Sequence, residues 1–276
     1  MYDRDFTETS KGALVELLLS LGIYRQHVVL AGGWAPYFLT RNHFDHCGSI
    51  DIDLVLHPSI IVKYESIRNI VNDLGYRQTP NIFRFKRTLI SPKTNREYSL
   101  HLDFLTEPHA ASDTVQKEQL VQVQTDLKAC LIEGSSIVFD FNYEENIKAT
   151  IPSNGEASVP AAVADIVGSL TMKGQTLLGR LKDKDYYDIY AVAGFHQGKP
   201  QKAAKAFTRS IKQKHFSIKH PIIWSSLSTI RNSFLNLTRI GPSMVSRFIG
   251  ANTRTDAYER VNTFLRVVAT DSSVRF

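Results

Sequence analysis

The chain has 276 residues, 43% of them hydrophobic and 22% charged, proportions that fit one or two folded domains and exclude a disordered, collagen-like or membrane-embedded chain. Its two cysteines, Cys47 and Cys130, form no disulfide framework and no CxxC metal motif. No apolar run approaches the roughly 20 residues that cross a bilayer, and the acidic start MYDRDFTETS lacks a leader's apolar core, so the expectation is a cytoplasmic protein with no membrane contact.

The net charge of +6 is unevenly spread. Residues 1–198 carry 19 Lys+Arg against 24 Asp+Glu, whereas residues 199–276 carry 14 against 3. An acidic body followed by a basic last third fits docking of a polyanionic partner on that third.

In chain order, residues 9–21 place Leu14, Leu17, Leu18 and Leu21 at helical spacing, and Gly22 stops them. Residues 27–31 read as a short β-branched strand ending in Gly32-Gly33. Residues 34–40 restart as a helix, with Pro36 acceptable in its first turn. Residues 50–56 alternate Ile, Asp, Ile, Asp, Leu, the period of a strand with one polar face. Residues 60–74 return to helical period. Residues 82–89 and 98–104 read as strands of an antiparallel hairpin turned by SPKTNR, and residues 137–143 and the stretch to 159 as further short strands. From Pro160 onward the pattern is helical, over 161–178, 182–193 and a long C-terminal region, with GFHQGKP as linker. The expected fold class is α+β: a mixed sheet with flanking helices over 1–159, then a helical domain over 160–276, with the site in the cleft between them.

Asp51 and Asp53 are two apart on a strand, so both carboxylates leave one face, with Cα atoms about 6–7 Å apart. That separation lets both reach one hard cation, Mg²⁺ or Mn²⁺, which takes its other ligands from water and phosphates. His101 and Asp103 repeat the alternation in SLHLDFL. If the two strands are neighbours, Asp103 becomes a third carboxylate, as metal ligand or as base for an acceptor hydroxyl. His101 shares its face. Gly32 and Gly33 let backbone approach a phosphate, and Ser49 adds a hydroxyl. Three carboxylates around metal are suited to in-line attack on phosphorus.

In this order, strand–GG–helix–GS–hDhDh–hairpin–hDh, the motifs resemble those of the DNA polymerase β-type nucleotidyltransferase superfamily. The resemblance implies transfer of a nucleoside monophosphate from an NTP to a hydroxyl. A second block, LTMKGQTLLGRLKDKDYYDIYAVA, resembles the K…R-x-K-x-[RK]-D-x-x-D segment of AbiEii/AbiGii-type toxins, the nucleotidyltransferases of type IV toxin–antitoxin systems. The resemblance covers residues 27–195. It implies that Lys173 contacts the triphosphate, with Arg180 and Lys182 at basic positions and Asp185 and Asp188 as downstream acids that position the lysine or the acceptor. It also implies a protein antitoxin as a partner. On a helix Asp185 and Asp188 share a face at i, i+3, so they can converge with Lys173 and Arg180.

The chain departs from the toxins in having GGWA, which is also similar to aminoglycoside and lincosamide nucleotidyltransferases, and in the insert NHFDHCG before Asp51. Within that insert His43, His46 and Cys47 match no standard zinc spacing and read as loop. The bland reading of Asp185 and Asp188 is surface ion pairing with Lys182 and Lys184, and that of Tyr186, Tyr187 and Tyr190 is packing. Lys202, Lys205, Arg209 and Lys212 form one basic helical stripe. With the basic tail, this favours an RNA acceptor such as tRNA over a small cationic drug, while the presence of Asp51, Asp53, Asp103 and Lys173 argues against a catalytically silent nucleic-acid-binding protein.

Overall fold

A computed structural model describes residues 2–60, 65–91, 93–107, 120–152 and 155–273. The chain divides into two compact units, one of Tyr2–Trp34 and Cys47–Ala164 and the other of Ala35–His46 and Asp165–Phe276.

The first unit is a mixed sheet with helices. Its strands are β1 (Val28–Leu30), β2 (Asp51–Leu56), β3 (Arg77–Gln78), β4 (Arg84–Ile90), β5 (Glu97–Thr106), β6 (Leu120–Gln124), β7 (Leu127–Leu131), β8 (Asn142–Thr150) and β9 (Glu156–Ala164). They run in the order β3-β4-β5-β2-β1-β9-β8, with β7 also pairing β5 and β6 pairing β7. Helix α1 (Arg4–Ser20) packs on β8 and β9. Its leucines Leu14 and Leu17 are fully buried, each such burial stabilising by about 1.5–3 kcal/mol. The approach is close: a Cβ on Gly12 would stand 2.2 Å from Thr150 O. The inward residues of the central strands, Ile52, Leu54, Leu102 and Phe104, are likewise fully buried. That fixes which face β2 and β5 turn away from the core, because side chains alternate along a strand.

Helix α2 (Trp34–Thr40) follows β1, and α3 (Ile67–Asp73) follows β2. Of the helix expected over 60–74, positions 61–64 lie outside the described residues.

The second unit is helical: α5 (Ile166–Gly179), α6 (Asp183–Phe195), α7 (Pro200–Gln213), α8 (Pro221–Ser233), α9 (Ile240–Ile249) and α10 (Arg254–Asp271). Helix α5 packs on α8, α6 on α9 and α10, and α7 on α10. None of the described helices is long and apolar enough to cross a membrane.

Two local expectations are corrected. Residues 137–140 form a single helical turn, α4 (Ile137–Asp140), before β8. The Glu107 carboxylate accepts the N–H groups of Gly134 and Ser136, both at 2.9 Å, and so fixes a turn where the apolar run reads as a strand. The helix expected from residue 161 begins five residues later, because β9 continues through Ala164 with Val163 paired to Leu30. Asp165 sets the boundary, its carboxylate accepting Val167 N at 2.8 Å and Gly168 N at 3.0 Å. Such a cap outweighs the helical preference of the alanines before it.

Candidate active site

Strand β2 lies parallel to β5, with Asp51 opposite His101 and Asp53 opposite Asp103. Neighbouring strands stand about 4.8 Å apart and in-register residues leave the same face, so Asp51, Asp53, His101 and Asp103 form one polar face. His101 Nδ1 lies 3.2 Å from Asp51 Oδ1.

Strand β4 contributes a residue the sequence reading missed. Arg84 stands opposite Asp103 and grips it with a two-pronged fork, Nε donating to Oδ1 at 2.7 Å and Nη2 to Oδ2 at 2.5 Å. Asp103 is buried, whereas the Arg84 side chain remains 31% exposed. The hydrogen bonds to Asp103, with the fields of Asp103, Asp51 and Asp53, outweigh burial and hold the guanidinium above its usual pKa. A signal was present: mirroring Asp103 about the SPKTNR turn lands on Arg84.

Gly32 shapes the same face. Its φ is +59° and a Cβ there would stand 1.7 Å from Asp53 Oδ2, so only glycine lets the backbone after β1 lie against this carboxylate. Gly33 follows and is buried. The Ser49 hydroxyl donates to the Asp51 carbonyl at 2.9 Å, which fixes the entry to β2.

Three carboxylates against one guanidinium leave these four side chains with two excess negative charges, the amount a divalent cation balances. Hard oxygen donors of this kind suit Mg²⁺ or Mn²⁺. Among the described residues, no set of three His, Cys, Asp or Glu is arranged to hold a metal ion. Asp103 has both oxygens turned to Arg84.

The other predicted residues meet in the helical unit. Lys173 Nζ donates to Asp185 Oδ1 at 2.7 Å and makes an ion-pair contact with Asp188 Oδ2 at the same distance. Arg180 Nε donates to Asp185 Oδ2 at 2.9 Å. Lys184 Nζ bonds Asp188 Oδ1, and His46 Nε2 lies 3.0 Å from the same oxygen. Lys173, Lys184, Asp185, Asp188 and His46 are all buried. The expected ion pair between Lys184 and Asp188 therefore exists, but in the interior rather than on the surface. Three cations against two carboxylates leave an excess positive charge.

Burial opposes ionisation throughout this network, and the opposite charges overcome it. Despite burial, Asp185 and Asp188 hold Lys173 above the usual lysine pKa. Lys173 and Lys184 hold Asp188 far below the usual carboxylate value. His46 goes the other way: burial and the Lys184 charge push it down to about 4. It is neutral at pH 7 and, facing a carboxylate, donates from Nε2. His46 does lie in a loop, but a buried one tied to Asp188. No local pattern flags it, since its partner is 142 positions away. Tyr186, Tyr187 and Tyr190 are buried packing residues.

Compared with protein-family models and with curated proteins, the chain matches none.

Proposed function

We propose that the protein is a divalent-cation-dependent nucleotidyltransferase that moves a nucleoside monophosphate from an NTP to a hydroxyl of an RNA acceptor. The observation that carries this reading is the in-register face of Asp51, Asp53 and Asp103 with the Gly32 backbone against Asp53. Asp51 and Asp53 would hold the cation, with Asp103 as third carboxylate, and a cation there would supply charge neutralisation for the departing pyrophosphate and acidification of the attacking hydroxyl. The acceptor oxygen bonds to the α-phosphorus, the bond to the β-phosphate oxygen breaks, and the hydroxyl proton leaves to solvent. Gly32 and Gly33 admit phosphate to the backbone. Lys173, which the resemblance assigns to the triphosphate, and Arg180, at one of its basic positions, belong to a network with excess positive charge. The same resemblance is the support for a toxin role with an antitoxin partner.

RNA as the acceptor rests on α7. Lys202, Lys205, Arg209 and Lys212 are all exposed, and the helix contains no acidic residue. Like charges at i, i+3 and i, i+4 cost a helix about 0.2–0.5 kcal/mol each, and cations near its N-terminus oppose its dipole. A polyanion offsets both.

The test is incubation with each α-labelled NTP, Mg²⁺, and either total tRNA or an aminoglycoside panel. Label in RNA is expected. Label confined to the drug would replace the acceptor. No label in any arm, with RNA still shifted on a gel, would leave only a binding protein.

A further inference from the structure

The carboxylate face carries its own counter-ion, and the fork between Arg84 and Asp103 is where a cation has to compete. Both Asp103 oxygens accept from Arg84, so the third carboxylate is turned sideways along the sheet towards β4. The guanidinium that holds it also lies within the field of Asp51 and Asp53. A dication bound by those two aspartates meets a fixed positive charge nearby, and repulsion between the two falls only if one moves.

The side chain that can move is Arg84. It is 31% exposed, while the Asp103 side chain is 7% exposed and sits on a central strand between β4 and β2. Arg84 is the first residue of β4, and its backbone pairing with β5 does not depend on its rotamer. Swinging the guanidinium out to solvent frees two carboxylate oxygens without disturbing the sheet.

We infer that Arg84 is a positioning residue that competes with the divalent cation for Asp103, so that Asp103 completes the cation site only when the Arg84 fork opens. This rests on the nucleotidyltransferase reading for the presence of the cation, and it concerns what sets the affinity. Releasing a charge-assisted two-pronged bond opposes cation binding by about tenfold.

Mn²⁺ binding, followed by loss of the free-ion EPR signal, tests this without turnover. Arg84→Gln should bind Mn²⁺ about tenfold more tightly than the starting protein. The gain should vanish when Asp103→Asn is added, since the competition is over that carboxylate. Arg84→Gln leaves a buried aspartate without its fork, so Arg84→Lys is run beside it. That variant keeps the charge, loses the two-pronged geometry, and should gain affinity in the same direction. The rise in melting temperature on adding Mn²⁺ should follow the same order.

Unchanged or weaker Mn²⁺ binding by both variants overturns the inference, and weaker binding would make Arg84 a support of the site. A gain of equal size in the Asp103→Asn background also overturns it, because the effect would then be the field of the guanidinium alone. Weakened NTP binding at unchanged Mn²⁺ affinity would make Arg84 a phosphate ligand instead. If neither the starting protein nor Arg84→Gln binds Mn²⁺ and no NMP is transferred, the nucleotidyltransferase reading itself fails, a result distinct from all of these.

Discussion

Asp53 stands opposite Asp103 across β2 and β5 in parallel register, and the next pair on the same face sets Asp51 opposite His101. Like charges directly opposite on a sheet are destabilising, by roughly 0.2–1 kcal/mol a pair. The Asp53–Asp103 pairing therefore works against the stability of the sheet.

Asp53→Asn should accordingly separate stability from activity. NMP transfer should fall by at least about a hundredfold, the loss expected when transition-state charge is left without its stabiliser. The urea midpoint should hold or rise. A variant that loses activity together with its fold would make Asp53 a structural residue.

Gly32→Ala attacks the same face from the backbone. A Cβ there would stand 1.7 Å from Asp53 Oδ2 at a φ of +59°. The left-handed conformation alone costs about 1–2 kcal/mol in a residue with a Cβ, and Asp53 has to shift as well. Loss of Mn²⁺ binding is expected alongside a lowered urea midpoint. Wild-type Mn²⁺ affinity in a folded Gly32→Ala protein would show that this glycine serves only the turn.

Much of this face was legible because it depends on short-range pattern. The alternation around Asp51 and Asp53 fixes which way they point, and it fails only if the strand is not a strand. Which strand lies beside β2 is a long-range fact, so the meeting of Asp53 with Asp103 could be expected but not deduced. Arg84 was within reach once the hairpin was assumed, because its register follows from the turn. His46 was not, since its hydrogen bond to Asp188 depends on how the loop after α2 packs on α6, 142 positions away. The short α4 and the delayed start of α5 were misread where a single side chain, Glu107 or Asp165, takes backbone N–H groups and overrides the local composition.

Lys173 lies between Asp185 and Asp188, all three buried. Lys173→Met would leave two interior carboxylates with fewer partners, although Arg180 still holds Asp185 and Lys184 still holds Asp188. Removing one partner of a buried pair costs about 3–5 kcal/mol, and the remaining cations place this case at about the lower limit. Urea denaturation measures it. An unchanged midpoint with lost activity would mean that the lysine acts on substrate and contributes nothing to the fold.

The depressed pKa of His46 gives stability a direction with pH. In the folded protein the value is about 4, against about 6.5 in an unfolded chain. The fold therefore favours the neutral imidazole. Its contribution is fully present above pH 6.5 and is lost as pH falls from about 6.5 to about 4, on the order of 3 kcal/mol in all. Asp188, held low by Lys173 and Lys184, loses its contribution only at more acid pH. His196, also pushed down by burial, acts in the same direction as His46. His46→Gln should flatten the fall in urea midpoint between pH 7 and pH 5 without abolishing it. The same slope in His46→Gln as in the starting protein would mean that His46 does not titrate in this window.

The basic stripe of α7 makes the RNA reading quantitative. Ala203, Ala204, Phe207 and Ile211 are buried, so the helix has no apolar face left for a bilayer. What it offers outward is Lys202, Lys205, Arg209 and Lys212. A phosphate contact made by each would release counter-ions, adding about 0.7–0.9 to the slope of log affinity against log salt. Single substitutions to Gln should lower that slope by about this amount each, with a similar weakening for any RNA sequence. All four together should lower it by about 3 while the helix gains a few tenths of a kcal/mol per relieved like-charge pair. Filter binding of tRNA over a salt series gives the slope directly. If the quadruple variant keeps both the slope and the affinity, α7 is a solvated face, and RNA, if bound, is held elsewhere.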